Sequence, residues 1–338
     1  MNVLLIQLKR IGDLILTVPA IAAVRKIFPD VEITLVVAHG SRALLPAIPG
    51  VDHKLIACGR ASDVASWLTI GRKKFDYCLD FSRTDRSAFL TFLSGARNRI
   101  TYDTVRREPV RQLSYNQFIP SQVQTTHTVD YHLALLAPLG VHDPSPEIHL
   151  ELPDSAQKKA DEIIAQQELG ADFILLHPGS ARAEKFWRAR RWAALADTFP
   201  GRNGIRFAFT GGPVAMEQMH IGQIKSFLRH PVVDLSGQLD LLVFAALMQR
   251  ARLLVTIDSA PMHLAGALGI PQVVLFGPTN PFHWRPRGAP AIILQGQSPG
   301  PVHEFTPRQT PSLMNEISTQ QVINAMQLLL SAPAAPEP

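Results

Sequence analysis

The chain has 338 residues, 46% of them hydrophobic and 18% charged, with a formal net charge of +5 and a pI near 9.4. That length is long for a single core and predicts two domains of about 150 residues each. The composition is that of a soluble globular protein, and no apolar run reaches the roughly 18 residues of a membrane-spanning helix, because Lys9, Arg10 and Asp13 interrupt the one candidate. That N-terminal stretch lacks a small-residue cleavage site, so it reads as a first strand and not as a signal peptide. Cys58 and Cys78 have no metal-type spacing and are too few for a disulfide framework. A reducing, cytoplasmic location is expected.

In chain order, "VLLIQ" (3–7) predicts a buried strand, followed by the loop "LKRIGD" and a helical stretch over 14–28. "VEITLVVA" (31–38), "KLIAC" (54–58) and "FDYCLDF" (75–81) are further strand-like runs. They lack polar alternation, as expected of a parallel sheet covered by helices on both faces. Arg97, Arg99, Arg106, Arg107 and Arg111 follow, opposed by Asp103 and Glu108. Two readings stay open for them: a solvated loop or helix face, or a site for an anionic acceptor or a phospholipid surface. Without a helix-turn-helix, zinc-finger or paired-aromatic pattern, no nucleic-acid partner is expected.

The proline- and acid-rich stretch 141–155 predicts the connection between a first domain (1–150) and a second (151–315) that opens with a helix over 156–169. Strand-like runs recur at 173–179, 205–212, 232–237, 253–259 and 272–278. Each ends in Gly, Ser or Asp before the next helical segment, so several loops open at one carboxyl edge, where open sheets bind ligands. A C-terminal helix (316–331), capped by Ser318 or Thr319 and striped by Val322, Met326 and Leu329, is expected to cross back to the first domain. The tail 332–338 is expected to be unfolded.

The chemistry-bearing patterns lie in those loops. In "TIDSAPMHLAG" the start of a helix with Pro261 in its first turn presents unpaired N–H groups that favour a phosphate, beside Asp258, Ser259 and His263. His263 taken alone reads more readily as a satisfied core histidine. "HPGSARAEKFW" (177–187) bares backbone donors at Gly179 and Ser180 and brings Arg182 and Lys185 to the same loop, a set suited to a diphosphate; a surface loop that is merely basic is the alternative. Glu217, after "TGG", is either a ribose or base acceptor or a solvated helix residue, and Thr279 sits in the proline-framed turn "FGPTNP". Asp13, at the start of a helix, is either a helix cap or a general base; a carboxylate there is expected to keep a low pKa. No GxGxxG and no GxxxxGK[ST] occurs, and neither HExxH nor DxD, so no metal and no cofactor is expected.

On these residues the sequence resembles glycosyltransferase family 9, the bacterial lipopolysaccharide heptosyltransferases. The resemblance rests on "IGD" at Asp13, on the Lys-x-Trp element at Lys185 and Trp187 with Ser180 upstream, and on D-[ST]-x-x-x-H at Asp258, Ser259 and His263, followed by "FGPT". Ala260, Arg188 and Asn280 depart from that pattern. The resemblance implies a GT-B type α/β fold, two Rossmann-like domains with a cleft between them. It further implies an inverting, metal-independent transfer from ADP-L-glycero-D-manno-heptose to the lipopolysaccharide inner core. Asp13 would be the base; Ser180, Arg182, Lys185, Glu217, Asp258, Ser259, His263 and Thr279 would hold the donor, which is a substrate and not a cofactor. The implied partners are that nucleotide-sugar and an anionic lipid-linked oligosaccharide, met by a monomer at the cytoplasmic face of the inner membrane. The same fold with another nucleotide-sugar or a non-core acceptor, and a non-catalytic sugar-nucleotide-binding protein, are the alternatives.

Overall fold

The computed structural model describes residues 1–59, 63–198 and 205–331; the tail expected to be unfolded lies outside them. The chain divides into two compact units, Met1–Glu151 and Leu152–Pro338.

The first unit is built on six parallel strands: β1 (Asn2–Gln7), β2 (Glu32–Ala38), β3 (His53–Ala57), β4 (Tyr77–Asp80), β5 (Asn98–Tyr102) and β6 (Gln117–Ile119), in the order β3-β2-β1-β4-β5-β6. The second unit repeats this with β7 (Phe173–His177), β8 (Arg206–Phe209), β9 (Val233–Asp234), β10 (Leu253–Ile257), β11 (Gln272–Phe276) and β12 (Ala291–Gln295), in the order β12-β11-β10-β7-β8-β9. Both are the doubly wound order in which the first and fourth strands are neighbours and the chain winds away from them in opposite directions. A crevice opens there, at the carboxyl ends of those two strands. β1 pairs with β4 from Val3↔Tyr77 to Ile6↔Asp80, and β7 with β10 from Ile174↔Leu253 to His177↔Thr256. The central strands are buried on both faces, which is why their sequences run apolar without alternation.

Several expectations shift. The helical stretch over 14–28 is two helices, Ile11–Ile15 and Val18–Ile27, because Pro19 has no N–H for the Ile15 carbonyl and its ring crowds that carbonyl. β5, β6 and β12 were not anticipated. β5 sits inside the arginine-rich run and β6 is only three residues long, so neither carries an apolar signal. The helix expected from residue 156 starts at Asp154, whose carboxylate lies in its first turn.

The C-terminal helix Thr319–Ser331 spends its stripe on the core of the second unit. Val322, Ile323, Ala325 and Met326 pack there with Trp187, Trp192, Val255 and Leu275. Met326 is fully buried, so Met326→Ala is expected to lower the free energy of unfolding in denaturant by about 2–5 kcal/mol. A change within a few tenths would show the helix to be peripheral.

Candidate active-site residues

In the first unit β1 ends at Gln7, and the chain turns through Leu8, Lys9 and Arg10 into Ile11–Ile15, with Asp13 in the first turn. A buried polar network fixes that turn. Thr17 Oγ1 donates to the Asp13 carbonyl (2.8 Å) and accepts from Gln7 Nε2 (2.8 Å), and His132 Nδ1 lies 3.1 Å from the same hydroxyl. The Asp13 carboxylate faces the Lys9 ammonium at 3.9 Å, and its side chain is only 17% exposed. Burial raises its pKa more than Lys9 lowers it, against the low value expected of a helix start. A helix of five residues supplies too little dipole to offset desolvation.

The arginine run is divided in its use. Arg99 is a strand residue whose guanidinium donates to the carbonyls of Ser114 and Ala96, both at 2.8 Å, and Arg111 pairs with Asp85. Those two hold the fold; Arg97, Arg106 and Arg107 are exposed.

In the second unit the predicted residues gather at the carboxyl ends of β7, β8, β10 and β11. Asp258 follows β10 and is buried. Its Oδ2 accepts from Lys185 Nζ (2.6 Å) and from the Thr279 hydroxyl, while its backbone carbonyl also accepts from Lys185 (3.2 Å). Lys185 therefore commits two of its three N–H donors to Asp258 and keeps one. The helix Ala260–Ala267 begins beside this pair. Ser259 is its N-cap residue, yet its hydroxyl donates back to the Ile257 carbonyl (3.3 Å) and makes no capping bond; Pro261 has no N–H and the Met262 N–H donates to the Ser259 carbonyl (3.1 Å), so the Ala260 N–H is the first-turn donor left for a ligand. His263 is buried one turn in; desolvation holds its pKa down at about 4, so the imidazole is neutral at pH 7, and Nδ1 is buried with no partner.

Glu217 is buried and not a solvated helix residue. Its Oε2 accepts the Gly212 N–H (2.7 Å), and burial raises its pKa. A side chain at Gly179 would collide with this carboxylate, which explains the glycine. Ser180 is buried and its hydroxyl accepts the Arg182 N–H (3.3 Å). The Arg182 guanidinium is engaged by Glu184 at 2.6 Å, so it is not the free cation that the loop composition suggests.

Trp187, read from the sequence as a packing residue that frames the loop, has no exposed surface. Its Nε1 donates to the Ile317 carbonyl (2.9 Å) and its ring meets Trp192 edge-on at 5.2 Å, so it anchors the Lys185 loop from beneath. Asn280, one of the departures, caps the helix Pro281–Trp284 by accepting the Phe282 N–H (2.8 Å). His177, absent from the predicted set, ends β7 as a buried neutral histidine, its pKa lowered to about 4 by desolvation and its Nδ1 3.0 Å from the Thr210 hydroxyl.

The family model for glycosyltransferase family 9 (heptosyltransferase) matches residues 64–309. The chain belongs to that family. It is thus a glycosyltransferase, and its two doubly wound units are the Rossmann-like pair of the GT-B fold. Lipopolysaccharide heptosyltransferase 3 of Escherichia coli is 25% identical over 285 residues, 81% of this chain and 83% of its own. The crystal structure of a family 9 glycosyl transferase from Veillonella parvula superposes with a TM-score of 0.83 at 27% identity, covering 97% of each chain. The E. coli ADP-heptose LPS heptosyltransferase II shares the fold, with a TM-score of 0.79 at 20% identity and 98% coverage of both. The family match begins at residue 64, so the Asp13 loop lies outside it.

Three buried histidines make the fold acid-sensitive in a defined window. Desolvation lowers His132 to about 3 and His177 and His263 to about 4, against an ordinary value of 6.5. The unfolded chain therefore binds protons that the native chain does not, and stability falls as pH drops from about 6.5 towards 4. Each contributes roughly 1.4 kcal/mol per pH unit in that window. Denaturant titrations between pH 6 and 4.5 are expected to show a shallower slope for His263→Gln than for the parent, and equal slopes would show that His263 titrates alike in both states.

Proposed function

We propose that this family 9 enzyme moves a heptosyl group from ADP-heptose to the inner core of an anionic, lipid-linked oligosaccharide, by a single inverting displacement that needs no metal ion. The observation that carries the reading is the buried Lys185–Asp258 pair beside the uncovered start of the helix Ala260–Ala267. Fixed N–H donors and one oriented ammonium at the end of a sheet suit a diphosphate whose charge grows as it departs. The choice of heptose rests on the names of the relatives: lipopolysaccharide heptosyltransferase for one, ADP-heptose LPS heptosyltransferase for another.

In this mechanism Asp13 accepts the proton of the acceptor hydroxyl as that oxygen bonds to the anomeric carbon from the face opposite the diphosphate. The anomeric carbon–oxygen bond to ADP breaks in the same step, which inverts the anomeric centre. The remaining Lys185 N–H and the Ala260 N–H take the developing charge, with the Ser180 hydroxyl as a neutral donor, while Thr279 spends its one O–H on Asp258 and so holds that carboxylate in place. Glu217 accepts from the nucleoside through Oε1, which makes no hydrogen bond among the described residues. His263 is neutral, so it serves as a hydrogen-bonding group and not as a cation.

Asp13→Ala is expected to lower turnover by about 10² to 10⁴-fold while leaving ADP-heptose binding within a few-fold. In the parent, turnover rises with pH through an apparent pKa above the ordinary aspartate value, and it survives a chelator. Unchanged turnover in Asp13→Ala would remove the assigned base.

A lipid-linked acceptor calls for contact with the cytoplasmic face of the membrane. Among the described residues no helix is long and apolar enough to cross a membrane. The first unit nevertheless exposes Val64, Leu68, Phe89, Phe92, Val110 and Leu113 on packed neighbours, the helices Val64–Arg72 and Asp85–Leu93 and the turn through 110–114, with Arg72 exposed on the first of these and Arg106 and Arg107 on the adjoining turn Asp103–Arg107. Exposed apolar side chains with arginines beside them suit an anionic lipid surface. Phe92→Asp with Leu113→Asp is expected to weaken co-sedimentation with vesicles containing acidic phospholipid, leaving turnover on a delipidated acceptor unchanged; undiminished co-sedimentation would move the contact elsewhere.

A further inference from the structure

The turn after β4 holds an arginine in a conformation that its sequence does not favour. Arg83 has φ +60°, the left-handed region that non-glycine residues seldom occupy and that tends to persist where surroundings impose it for a purpose. Here the surroundings are explicit. Asp80, fully buried at the end of β4, accepts the N–H groups of Ser82 (2.7 Å) and Arg83 (3.2 Å) on Oδ1 and the Tyr115 hydroxyl (2.6 Å) on Oδ2. The residue before it, Ser82, accepts the Leu8 N–H (2.6 Å) through its hydroxyl and so ties the turn to the loop that leads to Asp13.

The Arg83 guanidinium is positioned but not neutralised. It lies 5.4 Å from the Tyr102 ring and 5.7 Å from the Tyr131 ring, two rings stacked on each other, and Nη1 donates to the Thr104 hydroxyl (2.8 Å). Nε is buried with no partner, Nη2 makes no hydrogen bond, and no carboxylate pairs with it among the described residues. Arg83 lines a cavity of about 210 Å³ together with Ser82, Thr104, Val105, Glu108 and Arg111. Arg111 is engaged by Asp85 and by Glu108 (3.9 Å), so the one Glu in the lining faces an arginine of its own, and Arg83 supplies the uncompensated charge.

We propose that this cavity is a subsite for an anionic substituent of the acceptor, a carboxylate or a phosphate, with Arg83 as the residue that binds it. The location fits: β1 and β4 are neighbours at the crevice of the first sheet, and Lys9, which faces Asp13, also feels the charges of Arg83 and Asp80. An acceptor anchored at Arg83 is held at the end of the strand that neighbours the one leading to Asp13. The subsite rests on the transfer reading above for the identity of its ligand, and it adds a determinant of acceptor choice that lies outside the exposed arginines of 97–111.

The test uses the full chain with Arg83→Gln and Arg83→Lys, each first shown to melt as the parent does. Acceptor binding is followed by calorimetry and transfer by ADP release, on the natural acceptor and on two versions of it, one with its carboxylates reduced to alcohols and one dephosphorylated. Arg83→Gln is expected to weaken binding of the natural acceptor and raise its KM by about 10- to 100-fold, the range of a charge-assisted hydrogen bond. Its kcat and its KM for the donor should stay within a few-fold, and Arg83→Lys should fall between. The acceptor on which parent and Arg83→Gln no longer differ identifies whether the ligand was the carboxylate or the phosphate. Equal binding by parent and Arg83→Gln, or a loss that persists on both modified acceptors, would overturn the proposal. Arg83-dependent binding without any ADP release would instead defeat the transfer reading and leave the subsite standing.

Discussion

The second unit is organised around one buried ion pair. Lys185 arrives on the loop after β7, Asp258 at the end of β10 and Thr279 after β11, and the carboxylate of Asp258 gathers the other two. Such a pair is a poor source of net stability, since removing two charges from water costs about as much as their attraction returns. What it secures is geometry: the loops of three adjacent strands are fixed to each other, and the ammonium is aimed before any ligand arrives. The cation is already balanced, so under the proposed function a diphosphate would meet directed N–H groups more than excess positive charge. Trp187, sealed into the core beneath the same loop, keeps Lys185 from relaxing away.

The same topology produces a related device in the first unit. Its first and fourth strands, β1 and β4, are the counterparts of β7 and β10, and the fourth strand again terminates in a buried aspartate. Asp258 holds a lysine, whereas Asp80 holds the backbone of a turn and thereby sets Arg83 in place. One architecture thus places a positioned cation at each crevice, beside a helix start in one unit and on the turn after the fourth strand in the other. The buried network of Gln7, Thr17 and His132 does for the Asp13 turn what Trp187 does for the Lys185 loop.

Much of this was legible in the sequence. Apolar runs without alternation gave the parallel sheets, and an aspartate ending such a run marked Asp258 correctly as an unusual strand terminus. The identical signal at "CLDFS" marks Asp80 and went unused, because Asp80 brings no histidine or lysine with it in sequence; its partners Ser82, Tyr115 and Arg83 are assembled by the fold. Composition misled where pairing decides the outcome: Arg182, Arg99 and Arg111 look like free cations in the sequence and are committed to Glu184, to backbone carbonyls and to Asp85. Protonation was also beyond local pattern. The helix-start argument pointed to a low pKa for Asp13, and burial, which depends on residues distant in sequence, reverses it.

Of all the claims, the placement of the donor's diphosphate at the crevice of the second sheet carries the others, and a crystal structure of the full chain with ADP tests it most directly. The account predicts diphosphate oxygens within hydrogen-bonding distance of Lys185 Nζ and of the Ala260 N–H, with the Lys185–Asp258 pair intact. A diphosphate bound away from the carboxyl ends of β7 and β10 would contradict it.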